Sequence, residues 1–191
     1  MESKCTMQPS RIFHGSFPKA PIRLTGGRVF VDVVLVNWDE LYQDIVLNHS
    51  RTPRNFGEPP GATVHVHGDN PMCGDEVSVH LGIGAADTVD TIGFTGNGCS
   101  ICMASASMMT QRVKGRVRNE AAEMADEFQK MLTAPDEIVP DERLGDARVL
   151  QTVRKFPQRV KCATLAWHAL RQALDAAESG EGGRQFSIEE S

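Results

Sequence analysis

From Trp38 onward the apolar residues change period several times along the chain, and each change marks a new element. Leu41, Tyr42, Ile45 and Val46 recur at three-to-four spacing, the stripe of an amphipathic helix, with Asp39 placed to cap it. Pro53, Gly57, Pro59, Pro60 and Gly61 then end that helix in a long turn. Over residues 63–68 and 76–83 the period drops to two, with Val64 and Val66, then Val77, Val79 and Leu81, and residues 88–95, with Val89 and Ile92, read as a third strand. Such alternation predicts strands with one wet face, and the short connections predict an antiparallel meander. Gly96-Asn97-Gly98 breaks the third strand. Residues 99–114, rich in Ala, Ser and Met, predict a helix with a tightly packed face, and 119–131 predict a second one. Residues 133–141, with Pro135 and Pro140, read as a loop. A short helix over 144–154, stopped before Pro157, and a last amphipathic helix over 162–177 complete the pattern. The order of helix, three strands and then helices predicts an α+β domain, a small three-stranded antiparallel sheet flanked by helices.

The two ends lack this patterning. Residues 1–37 carry Pro9, Pro18, Pro21 and Gly26-Gly27 with no sustained period before Arg28, which predicts a loosely ordered leader. Residues 179–191 are mostly Gly, Glu and Ser with almost no apolar content, which predicts a disordered acidic tail. The folded domain is therefore expected over 38–178.

Composition narrows the functional classes. A chain of 191 residues with 40% apolar content supports one domain and one core without disulfide stapling. The formal net charge of −5 and the absence of any basic run argue against nucleic acid and against an anionic membrane surface. The longest apolar run, residues 29–36, is broken by Asp32; it is too short to span a bilayer and lacks the form of a signal peptide. Five cysteines form no evenly punctuated framework, so the expected compartment is the reducing cytoplasm.

In that setting thiols serve as buried hydrophobes, metal ligands or reactive groups. Cys73 lies in Asn70-Pro71-Met72-Cys73-Gly74-Asp75, the turn between the first two predicted strands. Cys99 stands where the third strand passes into a helix, and Cys162 at the expected start of the last helix. Helix N-termini favour thiolate over thiol, and thiolate is the form that binds metal and attacks sulfur. Asp75, two residues from Cys73, can add a carboxylate oxygen. Three thiolates and a carboxylate suit tetrahedral Zn2+. The cysteines are far apart and match no local zinc-finger spacing, so spacing alone leaves open a shared metal site and separate structural cysteines.

The motifs Leu41-Tyr42, Pro53-Arg54-Asn55-Phe56-Gly57, Asn70-Pro71-Met72-Cys73-Gly74-Asp75, Gly96-Asn97-Gly98-Cys99-Ser100-Ile101, Ala104-Ser105-Ala106-Ser107 and Arg159-Val160-Lys161-Cys162-Ala163-Thr164-Leu165 occur in this order. Together they resemble the SufU, IscU and NifU N-terminal family of iron–sulfur cluster assembly proteins, over Trp38 to about Leu174. The resemblance implies an antiparallel sheet flanked by helices with the metal site exposed at one end, and metal ligands at Cys73, Asp75, Cys99 and Cys162. IscU-type scaffolds are similar but place histidine where this chain has Lys161, and have a shorter path between the second and third cysteines. Both departures point to the SufU branch. That branch implies a zinc-dependent sulfurtransferase that accepts persulfide sulfur, at Cys73, from a pyridoxal-phosphate-dependent cysteine desulfurase of SufS type. It also implies that a histidine of the desulfurase displaces Cys73 from the zinc, and that downstream iron–sulfur assembly proteins receive the sulfur. The alternative is an IscU-type scaffold holding iron or a cluster at the same ligands. A purely structural zinc domain is disfavoured by Asp75, since closed structural sites usually use Cys and His alone.

Other attractive residues carry plainer expectations. Cys102 forms a Cys-x-x-Cys spacing with Cys99 but reads as a buried small hydrophobe, and Cys5 as a leader thiol without function. Arg159 and Lys161 are candidates to offset a negative metal centre. His65 and His67 share a strand face expected to be exposed, while His14, His49, His80 and His168 have no partner at ligand spacing.

Overall fold

The computed structural model describes residues 38–136 and 138–188; the expected leader 1–37 lies outside them. Helix α1 (Trp38–Arg51) leads through the proline-rich turn into strands β1 (Val64–Asn70), β2 (Asp75–Ile83) and β3 (Val89–Asn97). Helices α2 (Ser100–Val113) and α3 (Arg118–Thr133) follow, then a 3-10 helical segment (Glu142–Lys155), helix α4 (Pro157–Ser179) and strand β4 (Gly183–Ser187). The α+β class and the three-strand meander agree with the hydrophobic pattern.

The sheet has four strands rather than three, in the order β3-β2-β1-β4. β1, β2 and β3 pair antiparallel, and β4 joins β1 in parallel, His65 opposite Gly183 and Gly68 opposite Phe186. So part of the stretch expected to be a disordered tail is a strand. It carries one large apolar side chain, too few to show a period, and what orders it is the free edge of β1. A Cβ on Gly68 would lie 2.5 Å from the Phe186 ring, so glycine there lets the ring lie against the β1 backbone.

Val66, Val77, Val79, Leu81, Ile92 and Phe94 are wholly or almost wholly buried on one face of the sheet, and α4 packs across β1 and β2. Behind α4, Trp167 stacks on Phe128 of α3 with ring centroids 4.4 Å apart. Helix α2 is more than one-sided: residues 104–110 are all buried, so small Ala and Ser side chains let α1 and α4 approach it closely. Its buried hydroxyls are partnered. Ser105 Oγ donates to the Ala163 carbonyl at 2.6 Å and accepts the Trp167 indole N–H at 3.1 Å, tying α2 to α4.

Two helical boundaries differ from the pattern. The segment expected as a helix over 144–154 is 3-10 helical over Glu142–Lys155, kinked at Gly145 (φ 54°, ψ −126°). Helix α4 begins at Pro157, five residues before Cys162. Proline is well suited to the first helical position, where its missing N–H costs nothing, so the residue that reads as a stop for the preceding segment also starts α4. No helix among the described residues is long and apolar enough to cross a membrane.

Candidate metal centre

Four elements bring the expected ligands to one end of the sheet. The turn after β1 carries Cys73, its N–H and that of Gly74 both donating to the Asn70 carbonyl. Asp75 opens β2, Cys99 is the N-cap of α2, and Cys162 lies in the second turn of α4. The ligand atoms of Cys73, Asp75 and Cys162 all lie within 4.8 Å of one another, with the two sulfurs 3.3 Å apart. Cys99 joins this group through Asp75: its backbone N–H donates to Oδ1 at 2.8 Å, and its sulfur lies 3.6 Å from Oδ2. The four described cysteines are free thiols, Cys73 and Cys99 exposed, Cys102 and Cys162 buried.

The thiols are not equivalent. The Cys162 thiol beside Cys99 holds the latter's pKa down, against burial, and the N–H groups of Cys102 and Ile101 in the first turn of α2 add to the effect; the result is about 7. Cys162 is pushed up, above all by the Cys99 sulfur and then by burial and by Asp75. It has no helix N-terminus to help it, contrary to the expected helix start: its thiol points back to the Gln158 carbonyl one turn earlier, at 3.5 Å. Burial raises Cys73 as well. Three thiols and a carboxylate able to carry negative charge are therefore packed together, with the pKa values of Cys73 and Cys162 raised. A divalent cation relieves that conflict, and a thiolate-rich set with one carboxylate fits Zn2+ by charge and donor type. The buried Nδ2 of Asn70, in the same wall, has no hydrogen-bond partner among the described residues.

Around this cluster opens a groove of about 1010 Å³, its walls including Tyr42, Leu47, Met72, Ile101, Arg159 and Lys161. Met72 and, near the start of α4, Phe156 are half exposed. Arg159 stacks over the Phe156 ring at 4.8 Å, and neither it nor Lys161 is hydrogen-bonded to the four ligands among the described residues. Cys102 is fully buried and its thiol is pushed up by burial, as a small core residue would be.

The histidines are arranged differently from the expected exposed face. His67 Nδ1 is 2.9 Å from Ser78 Oγ, but His65 meets His80 directly across β1 and β2, Nδ1 to Nδ1 at 2.9 Å. His80, expected to lack a partner, is buried. The signal was present only as strand register: residues 15 apart become opposites once the β1–β2 turn is placed.

Residues 41–163 match the family described as the NifU-like N terminal domain. The chain is 42% identical to the zinc-dependent sulfurtransferase SufU of Bacillus subtilis (strain 168), over 75% of this chain and 96% of that protein. It is 39% identical to the iron–sulfur cluster assembly scaffold protein IscU of Streptococcus pyogenes serotype M1, over 78% of this chain and 92% of that one. A crystal structure of a putative iron–sulfur cluster assembly scaffold protein for the SUF system, from Fervidobacterium islandicum AW-1, superposes with a TM-score of 0.62 at 28% identity, covering 71% and 97% of the two chains.

Proposed function

The chain belongs to the family of NifU-like N-terminal domains, and from that premise we propose that it is a cytoplasmic, zinc-holding sulfur acceptor for a pyridoxal-phosphate-dependent cysteine desulfurase. The observation that carries this reading is the convergence of Cys73, Asp75 and Cys162 within 4.8 Å, tied to Cys99 through Asp75, with Cys73 on an exposed turn. Cys73, Asp75, Cys99 and Cys162 would hold the ion. Zinc supplies no redox chemistry; it keeps thiols ionised at neutral pH and shields them from oxidation.

Cys73 is the acceptor in this reading. Its thiolate attacks the outer sulfur of the desulfurase persulfide; a new S–S bond forms on Cys73, the partner's S–S bond breaks, and the partner cysteine leaves as thiolate. No electrons are gained or lost overall, so no further reductant is required. Of the three thiols, Cys73 alone sits on a turn, which moves at lower cost than a helix. Cys99 and Cys162 are anchored at the N-cap of α2 and inside α4. The groove, with its exposed Met72 and basic Arg159 and Lys161, offers the partner's loop a place beside Cys73. The sulfur then passes to downstream iron–sulfur assembly proteins.

A second reading, a scaffold that assembles a cluster on the same four side chains, is favoured by the names of several relatives. Lys161, in the groove wall beside Cys162, favours the first, because the scaffold pattern has histidine there. Metal analysis and mass spectrometry separate the two. Aerobically purified protein is expected to carry about one zinc per chain and no visible absorption, and after incubation with desulfurase and cysteine the added sulfur is expected on the Cys73 peptide. Stoichiometric iron and sulfide, or sulfur on Cys99 or Cys162 with Cys73→Ala still active, would overturn the reading.

A further inference from the structure

At the opposite end of β1 from the cysteine cluster, the chain builds a second group of ligating side chains. The turn after α1 bonds along the free edge of β3, with Gly57 N–H donating to Phe94 O at 2.7 Å and Phe94 N–H to Asn55 O at 3.0 Å. It then crosses the outer face of the sheet as a strap. A Cβ on Gly93 would lie 2.4 Å from the Gly57 carbonyl oxygen, and one on Gly82 2.5 Å from that of Gly61, so both strand glycines are what let the strap lie flat on the sheet.

Beneath and beside the strap, Glu58 Oε1 lies 3.9 Å from His65 Nδ1, which lies 2.9 Å from Nδ1 of the buried His80. The Nε2 of His80 lies 3.0 Å from the Thr95 hydroxyl. Donation of Nε2–H to that hydroxyl leaves the lone pair on Nδ1, aimed at His65, as a fixed outer hydrogen bond does for metal-bound histidines. Two ligand atoms on one tetrahedral zinc are about 3.3 Å apart, given Zn–N bonds of about 2.0–2.1 Å. The observed separations of 2.9 and 3.9 Å bracket that value.

We propose that Glu58, His65 and His80 form a second metal site, which takes a divalent first-row transition ion, zinc foremost, through two imidazole nitrogens and one carboxylate oxygen, with water completing the shell. Two imidazoles and a carboxylate are the donor set such ions prefer, and three protein ligands leave one position open. His65 is five residues from Asn70 along β1, about 17 Å at the rise of an extended strand. The site is thus separate from the cysteine cluster. His67, whose sequence spacing pairs it with His65, is partnered by Ser78 instead.

The test is a titration with Co2+ of full-length protein holding zinc at the cysteine cluster alone, followed by visible absorption. Cobalt bound by nitrogen and oxygen shows d–d bands without the intense thiolate-to-cobalt charge-transfer band of a cysteine site, so the spectrum identifies this site whatever the cysteines hold. One equivalent with the nitrogen–oxygen spectrum is expected, with affinity lowered about tenfold or more by His65→Ala and by Glu58→Gln and unchanged by Cys73→Ala. Both substituted positions are solvent-accessible, so unaltered thermal melts of the metal-free variants will show that folding is preserved. Failure to bind a nitrogen–oxygen equivalent, or binding unchanged in the double variant, would overturn the proposal.

Discussion

Asp75 accepts the backbone N–H of Cys99 at 2.8 Å with one carboxylate oxygen and reaches the Cys99 sulfur at 3.6 Å with the other. One side chain therefore stitches the start of β2 to the start of α2 and also belongs to the ligand cluster. These two roles separate by substitution. Asp75→Asn keeps an oxygen for the N–H but is a poor metal ligand, whereas Asp75→Ala loses both. We expect both variants to hold zinc more weakly. In the metal-free state Asp75→Ala should be less stable than Asp75→Asn by about 1–2 kcal/mol, the worth of a buried hydrogen bond to a backbone donor. Denaturant melts in chelator check this; equal metal-free stabilities would remove the structural role.

Cys102→Ser should retain zinc and sulfur acceptance, because the wild-type thiol is fully buried in the core and held protonated. A buried hydroxyl in its place should cost about 1–3 kcal/mol, read as a lower denaturation midpoint. Zinc loss without a fall in stability would instead make Cys102 a ligand.

Acid should destabilise the fold as the pH falls below 6.5. Burial lowers the pKa of His168, and burial with the Arg54 charge lowers that of His49, both from an ordinary value of 6.5. As pH falls through 6.5 the unfolded chain takes up protons at these rings while the folded chain does not. The stability they contribute is present above 6.5 and lost toward their lower folded values. His49 Nδ1 also lies 2.8 Å from Ser107 Oγ, which accepts the Arg54 N–H, so the ring sits in the contact between α1 and α2. Thermal midpoints measured from above to below that pH should fall, and His168→Gln should flatten the slope. An unchanged slope in that variant would count against the assignment.

Phe186→Ala should reveal β4 as an integral part of the sheet. The ring is half-buried against Gly68, so its removal should cost about 1 kcal/mol, a shift of about 2–4 °C in Tm for a domain of this size. Zinc content should not change, since β4 pairs with β1 and contributes no ligand. A midpoint equal to wild type would mean that the strand is not packed in solution.

Local pattern made most of the fold legible. The period-two runs around Val64 and Val77, the apolar residues from Val89 and the small-residue stretch at Ala104 are short-range signals, and the elements lie where those signals fall. Motifs singled out Cys73, Asp75, Cys99 and Cys162 as candidate ligands, although spacing alone left them unconnected. What the sequence determined by itself was therefore element type, the polar and apolar faces, and a short set of candidate ligands. Only the tertiary structure decided which of these meet. It brought the Cys162 sulfur to within 3.3 Å of that of Cys73, recruited residues 183–187 to the edge of β1, and set His80 against His65 beneath the strap. Each depends on a partner far away in the chain: periodicity reports how a residue sits relative to its neighbours, whereas strand register, edge pairing and burial are set by whichever surface folds against it.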